Sequence, residues 1–137
     1  MNLRSLTASI AFAAVSITAA HAAPPTSLAA TTWTMQINRD IAQLVITHQG
    51  GPGTAGGPTC RLLIGTIGNA PVRGWYCFES GRFQLLHNNV GTANTVRVFT
   101  GNVSDDIVGQ TLYMAGTVSI QDSAFGTLGE FNFSGTR

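Results

Sequence analysis

From position 31 onward, apolar and polar residues alternate with a period of two along most of the chain. Thr31–Asn38 sets Trp33, Met35 and Ile37 on one face and Thr32, Thr34 and Gln36 on the other, the pattern of a strand with one buried face. Gln110–Ile120 repeats it: Leu112, Met114, Val118 and Ile120 alternate with Thr111, Tyr113, Thr117 and Ser119. In Leu128–Gly135, Phe131 and Phe133 oppose Glu130, Asn132 and Ser134, and in Arg82–Asn88, Phe83, Leu85 and His87 oppose Arg82 and Gln84. Thr95–Ser104 is mixed, and its Val96 and Val98 are read as inward, with Arg97 and Phe99 outside. Ile41–Gln49, Thr59–Ile67 and Ala70–Phe78 complete eight segments rich in β-branched and aromatic residues. The third and fourth carry apolar residues on both faces, which predicts a covered outer surface or pairing with another copy.

Gly, Asn, Asp, Ser or Pro separates nearly all of these segments, and no stretch between them has a helical period. An even number of consecutive antiparallel strands can close on itself and so remove its exposed edges. The predicted fold is therefore all-β, an eight-stranded antiparallel up-and-down (meander) barrel. Gly65, Gly74, Gly101, Gly116 and Gly129 fall inside strands, where glycine marks bends, bulges or close backbone approach. Gly50–Pro58, with five glycines and two prolines, reads as a loop at one barrel end. It is the longest connection, so a ligand is expected to enter beside it.

Gly68-Asn69 is a two-residue hairpin signal. If it forms the loop, cross-strand partners have numbers summing to 137, and Cys60 and Cys77 do so. They fall on a non-hydrogen-bonded pair, with Cα atoms roughly 4.5 Å apart, inside the window of about 4.4–6.8 Å for a disulfide. A Cys60–Cys77 bridge is expected.

Residues 1–22 read as a signal peptide. Arg4 supplies the positive start, Leu6–Ala20 the apolar stretch and Ala20-His21-Ala22 the cleavage pattern. The stretch is short for a membrane span, which needs about 20 apolar residues. Cleavage leaves about 115 residues, enough for one core. Residues 23–30, with Pro24-Pro25, read as a flexible lead-in that packs little, and 31–137 as the barrel domain. A leader and a disulfide together point to a secreted or periplasmic protein.

The chain has no lysine, and without Arg4 its six arginines balance six acids. Neither a basic stripe for nucleic acid nor a polybasic membrane patch can be built from such scattered cations. No metal or cofactor is expected: beyond the leader only His48 and His87 remain, and a zinc site needs three or four converging ligands. Ser80, His87 and Asp40 could be drawn as a triad, but no nucleophile elbow positions them. Asp105-Asp106, adjacent in a loop, reads as solvated charge and not as a hydrolytic pair. The chain is not expected to be an enzyme.

Aromatic residues are the remaining signal. Trp75, Tyr76 and Tyr113 could wall a pocket for a small apolar molecule or simply fill the barrel. His87, inward near a strand end, is either an ordinary hydrogen-bonded residue or a ligand contact. Trp33 reads as a structural plug.

Thr31-Thr32-Trp33-Thr34, opening an eight-stranded meander, is similar to the G-x-W pattern of the calycin superfamily, the lipocalins and avidins, with Thr31 in place of the glycine. Thr127-Leu128-Gly129-Glu130-Phe131-Asn132-Phe133 resembles the avidin ending. Phe131 stands where avidins carry an inward polar residue, and only Trp75 accompanies Trp33, so the resemblance does not carry biotin over as the ligand. It implies a closed barrel holding a small apolar or amphipathic molecule. Two other roles fit the same features: a periplasmic protease inhibitor presenting Pro24–Ala30, and a self-assembling barrel, so a homo-oligomer stays open.

Overall fold

The computed structural model describes residues 23–52, 58–88, 95–106 and 111–137; residues 1–22, which the sequence reads as a signal peptide, lie outside them. Eight strands follow in chain order: β1 (Thr31–Ile37), β2 (Asp40–Pro52), β3 (Cys60–Ile67), β4 (Ala70–Cys77), β5 (Arg82–Asn88), β6 (Thr95–Asp105), β7 (Leu112–Asp122) and β8 (Gly126–Thr136). Each pairs antiparallel with its sequence neighbours, and β8 returns to β1, so the sheet is a closed meander barrel. The closing seam is short, joining Thr34–Ile37 to Phe133–Thr136. The one sizeable departure from the expected bounds is β2, which runs on through Gly50 and Gly51 to Pro52. It does so by way of register shifts between Ile46 and His48 and between Gln49 and Pro52. Those bulges let a glycine-rich stretch stay paired while the strand bends.

Side chains fill the barrel. Trp33, Met35, Leu44, Ile46, Leu63, Ile67, Val72, Tyr76, Phe83, Leu85, Phe99, Val103, Met114, Val118 and Phe133 are all buried and form one cluster. Phe133 meets Phe83 and Phe99 edge-on, with centroids 6.0 and 5.4 Å away, the geometry that aromatic quadrupoles favour. Gly74 permits tight coiling here, because a methyl group on it would overlap the Gln84 backbone carbonyl. Gly68 takes a left-handed φ of 58° in the β3–β4 turn, which glycine adopts without steric cost.

The β6 phase corrects the sequence reading. Phe99 is fully buried, as is Val103 nearly so, so Arg97, Phe99, Gly101 and Val103 are the inward set and Val96 and Val98 face out. Two β-branched valines suggested an apolar face. The larger aromatic, with Gly101 opposite Gly116, decides the packing instead.

Cys60 and Cys77 are partners across β3–β4 and form a disulfide, with Cα atoms 3.9 Å apart. Both lie on the strand face opposite buried Leu63, Val72 and Tyr76, so the bridge staples the hairpin from outside.

Candidate functional site

In a meander the connections alternate between the two barrel ends. The β1–β2, β3–β4, β5–β6 and β7–β8 connections lie at one end, termed upper here; β2–β3, β4–β5 and β6–β7 lie at the lower end with the start of β1.

The lower end is sealed by residues 24–33. Leu28 is 1% exposed and Trp33 fully buried. The Trp33 indole N–H donates to Thr31 Oγ1 at 2.8 Å, and that hydroxyl donates to the Leu28 carbonyl at 2.6 Å. The Leu28 N–H donates to Gln49 Oε1 at 2.8 Å, and the Tyr76 hydroxyl donates to the Pro25 carbonyl. Residues 23–30 therefore pack more than their composition suggests. The reason is Leu28, an apolar anchor that the Pro24-Pro25 context obscured.

The upper end opens into a cavity of about 170 Å³, lined by Ile37, Asn38, Asp40, Arg97, Val118, Ile120 and Phe131. Its walls come from the inward faces of β1, β6, β7 and β8, and Asn38 and Asp40 border it from the β1–β2 turn. Phe99, cross-strand partner of Val118, and Phe133, partner of Ile37, fill the barrel next to it. Ligand entry was expected at the opposite end, beside Gly50–Pro58. Residues 53–57 of that loop lie outside the described residues, while the lower end they belong to is the one sealed by Leu28 and Trp33.

Arg97 is the cationic group of the cavity. Its cross-strand partners are His87 on β5 and Ile120 on β7. His87 is 4% exposed, and among the described residues neither of its ring nitrogens has a hydrogen-bond partner, nor does the buried Nε of Arg97. Burial, and secondarily the Arg97 charge, hold the His87 imidazole below its ordinary pKa, so it is neutral at neutral pH. Arg61 shows the contrast. Its guanidinium donates to the Pro58 and Cys60 carbonyls at 2.8 and 3.2 Å and lies over the Phe78 ring. An unpartnered buried polar group is expensive, and His87 and Arg97 place such groups on neighbouring strands.

The aromatic residues expected to wall a pocket are scattered. Tyr76 is fully buried, with its hydroxyl engaged by Pro25; desolvation, with the Asp105 charge adding, raises its pKa far above the ordinary value. Trp75 lies on the outer face, half-buried, opposite Leu62. Tyr113 also faces outward and is 45% exposed, because β7 buries Leu112, Met114 and Val118 on the other side. None of the four candidates lines the upper cavity; His87 comes nearest, as the cross-strand partner of Arg97, which does. Ser80 and Asp40 fall at opposite barrel ends, which dissolves the paper triad. Among the described residues, no three His, Cys, Asp or Glu side chains are grouped as a metal site would require.

None of the seven residues that line the cavity is retained as a site candidate from the sequence; Ile37, Val118, Ile120 and Phe131 are read only as inward, Asn38 and Asp40 as turn, and Arg97 as outward. For Arg97 the signal was available in Phe99 and Val103, which share its parity and outweigh Val96 and Val98 in bulk. Phe131 shares a strand face with Phe133 and stands where avidins carry an inward polar residue, and at 38% exposed it sits at the mouth.

Compared with known protein families and with curated proteins, the chain matches no family model and no curated sequence at a significant level.

Proposed function

We propose that this chain is an exported, non-enzymatic, calycin-like barrel that binds a small apolar or amphipathic molecule at its upper end. The observation that carries the reading is the upper cavity, apolar on four of its seven lining residues and flanked by the unpartnered His87–Arg97 pair. Its volume of about 170 Å³ is below the roughly 300–1,000 Å³ of drug-sized sites. It is close to the roughly 150 Å³ of an engineered cavity that holds benzene. The ligand body is therefore ring-sized, or is the end of a larger molecule that projects from the mouth.

Sealing of the lower end by Trp33 and Leu28 agrees with the calycin resemblance, in which one end is plugged and the other receives ligand. The disulfide is in keeping with an oxidising compartment, and the leader-like residues 1–22 with secretion or periplasmic export. The inhibitor reading loses its main support, since the segment from Pro24 to Ala30 is docked on its own barrel through Pro25 and Leu28.

Native mass spectrometry of the protein purified from its source tests the proposal, because it reports bound ligand and subunit number together. A retained small molecule, lost when Val118 is replaced by a bulkier residue, is the expected result. Protein that carries nothing, and whose cavity resonances no small hydrophobic compound shifts, would refute it.

A further inference from the structure

We propose that the upper cavity is specific for small amphipathic carboxylates, with the acid group seated on Arg97 and His87 and the apolar body against Ile37, Val118, Ile120 and Phe131. This inference rests on reading the cavity as a ligand site and adds the chemical class of the ligand.

Three observations lead to a monoanion. The first is the set of unpartnered donors. Arg97 Nε and both His87 nitrogens are buried without a hydrogen-bond partner among the described residues, whereas the Arg61 guanidinium in the same barrel donates to two carbonyls. An incoming oxyanion supplies an acceptor for the Arg97 Nε–H and for the one ring N–H of neutral His87. The second is charge. Arg97 brings one positive charge to the lining and Asp40 one negative, while His87 is neutral. A dianion such as a phosphate monoester would meet Asp40 with only one cation to offset it, whereas a carboxylate is matched by Arg97 alone. The third is shape. The guanidinium fork presents parallel N–H groups that fit the planar carboxylate in two-point fashion.

Neutral His87 keeps one ring N–H and can donate it to the same oxyanion, lying directly across β5–β6 from Arg97. The remaining walls are aliphatic or aromatic, so the rest of the ligand must be apolar. The cavity volume limits the enclosed part to about the size of a phenyl ring.

Benzoate and benzyl alcohol share that ring and differ in charge, and both can be titrated into the full chain while its amide and arginine Nε–H resonances are followed. Benzoate is expected to bind about tenfold or more tightly than benzyl alcohol, to shift the Arg97 Nε–H resonance, and to lose its advantage in Arg97→Gln. Equal or tighter binding of benzyl alcohol overturns the carboxylate seat and leaves the ligand cavity standing. Failure of both compounds to move any cavity resonance removes the cavity reading and this inference with it. An Arg97 Nε–H resonance unmoved at benzoate saturation in the unsubstituted protein places the anion elsewhere. That measurement does not depend on whether Arg97→Gln folds.

Discussion

Replacing His87 by leucine should make the protein more stable. In the native barrel the imidazole is 4% exposed, packed between Val72 on β4 and Arg97 on β6, and neither nitrogen has a partner among the described residues. A buried polar group without a hydrogen bond costs about 1–3 kcal/mol. Leucine of similar volume keeps the apolar contacts and removes that cost. For a domain of this size each kcal/mol moves Tm by about 4 °C, so His87→Leu should melt roughly 4–12 °C higher at neutral pH. The difference should also depend on pH in a definite direction. The unfolded imidazole protonates near its ordinary value of about 6.5, while the native one resists because burial and the Arg97 charge lower its pKa. As pH falls through that region the unfolded state binds more protons, so the native protein keeps its full stability above about 6.5 and loses part of it as pH falls toward the lowered native pKa, which adds to the cost of the buried imidazole. Across the cavity Asp40 is the other titratable group, and it is common to both proteins. Urea unfolding of the two proteins between pH 8 and pH 5 is the assay. The leucine variant's margin should be positive at pH 8 and should widen on acidification. A less stable variant, or a margin that is flat with pH, would mean that His87 is satisfied by a group not yet identified and would weaken the binding-site reading.

Two further substitutions or measurements probe the rest of the scaffold. Trp33→Ala should destabilise by about 3–5 kcal/mol, since Trp33 is fully buried and hydrogen-bonded to Thr31; wild-type melting in a calorimeter would show that the lower end is not sealed as described. The Cys60–Cys77 bridge should leave no reactive thiol in unfolded, unreduced protein, and its reduction should cost about 3 kcal/mol; a thiol assay that counts two would refute the pairing.

The barrel was legible because its signals are local. Alternation in β1, β5 and β7 fixed which residues face inward, and the Gly68-Asn69 turn fixed the register that brings Cys60 onto Cys77. The site was less legible, for reasons that can be named. Strand β6 offers apolar residues on both faces, so its phase is set by the neighbours it meets, Gly116 and Val118 on β7 and Leu85 on β5, and not by its own sequence. With the phase reversed, Arg97 was placed in solvent and its pairing with His87 could not be seen. Loop length points to the lower end, whereas the cavity lined by Arg97 and Phe131 lies at the upper one. What decides it is the docking of Leu28 and Pro25, a contact between segments that no local pattern encodes. Trp75, Tyr76 and Tyr113 attracted notice as aromatics, yet residue type does not distinguish an outer-face ring from a core ring or a pocket wall.

The two ends of the barrel divide its chemistry. At the lower end the polar groups around the plug are answered, Asp105 Oδ1 at the end of β6 being the exception among the described residues: the Trp33 indole by Thr31, Thr31 by the Leu28 carbonyl, Gln49 by the Leu28 N–H, and Tyr76 by Pro25. That network spans residues far apart in sequence and closes the interior to water, which is what a structural plug requires. At the upper end the buried Nε of Arg97 and the ring nitrogens of His87 lie on neighbouring strands without a partner among the described residues, near a cavity with aliphatic and aromatic walls. A leucine at 87 would fit the alternation of β5 as well as it does at Leu85. The imidazole at 87, buried without a partner among the described residues, therefore runs against stability. Sites that bind are drawn from such locally unfavourable arrangements, since the group that completes them arrives with the ligand. On this argument stability and binding are opposed at His87 and Arg97: substitutions there that raise Tm should lower affinity for a carboxylate, and a variant that gains both would separate the two.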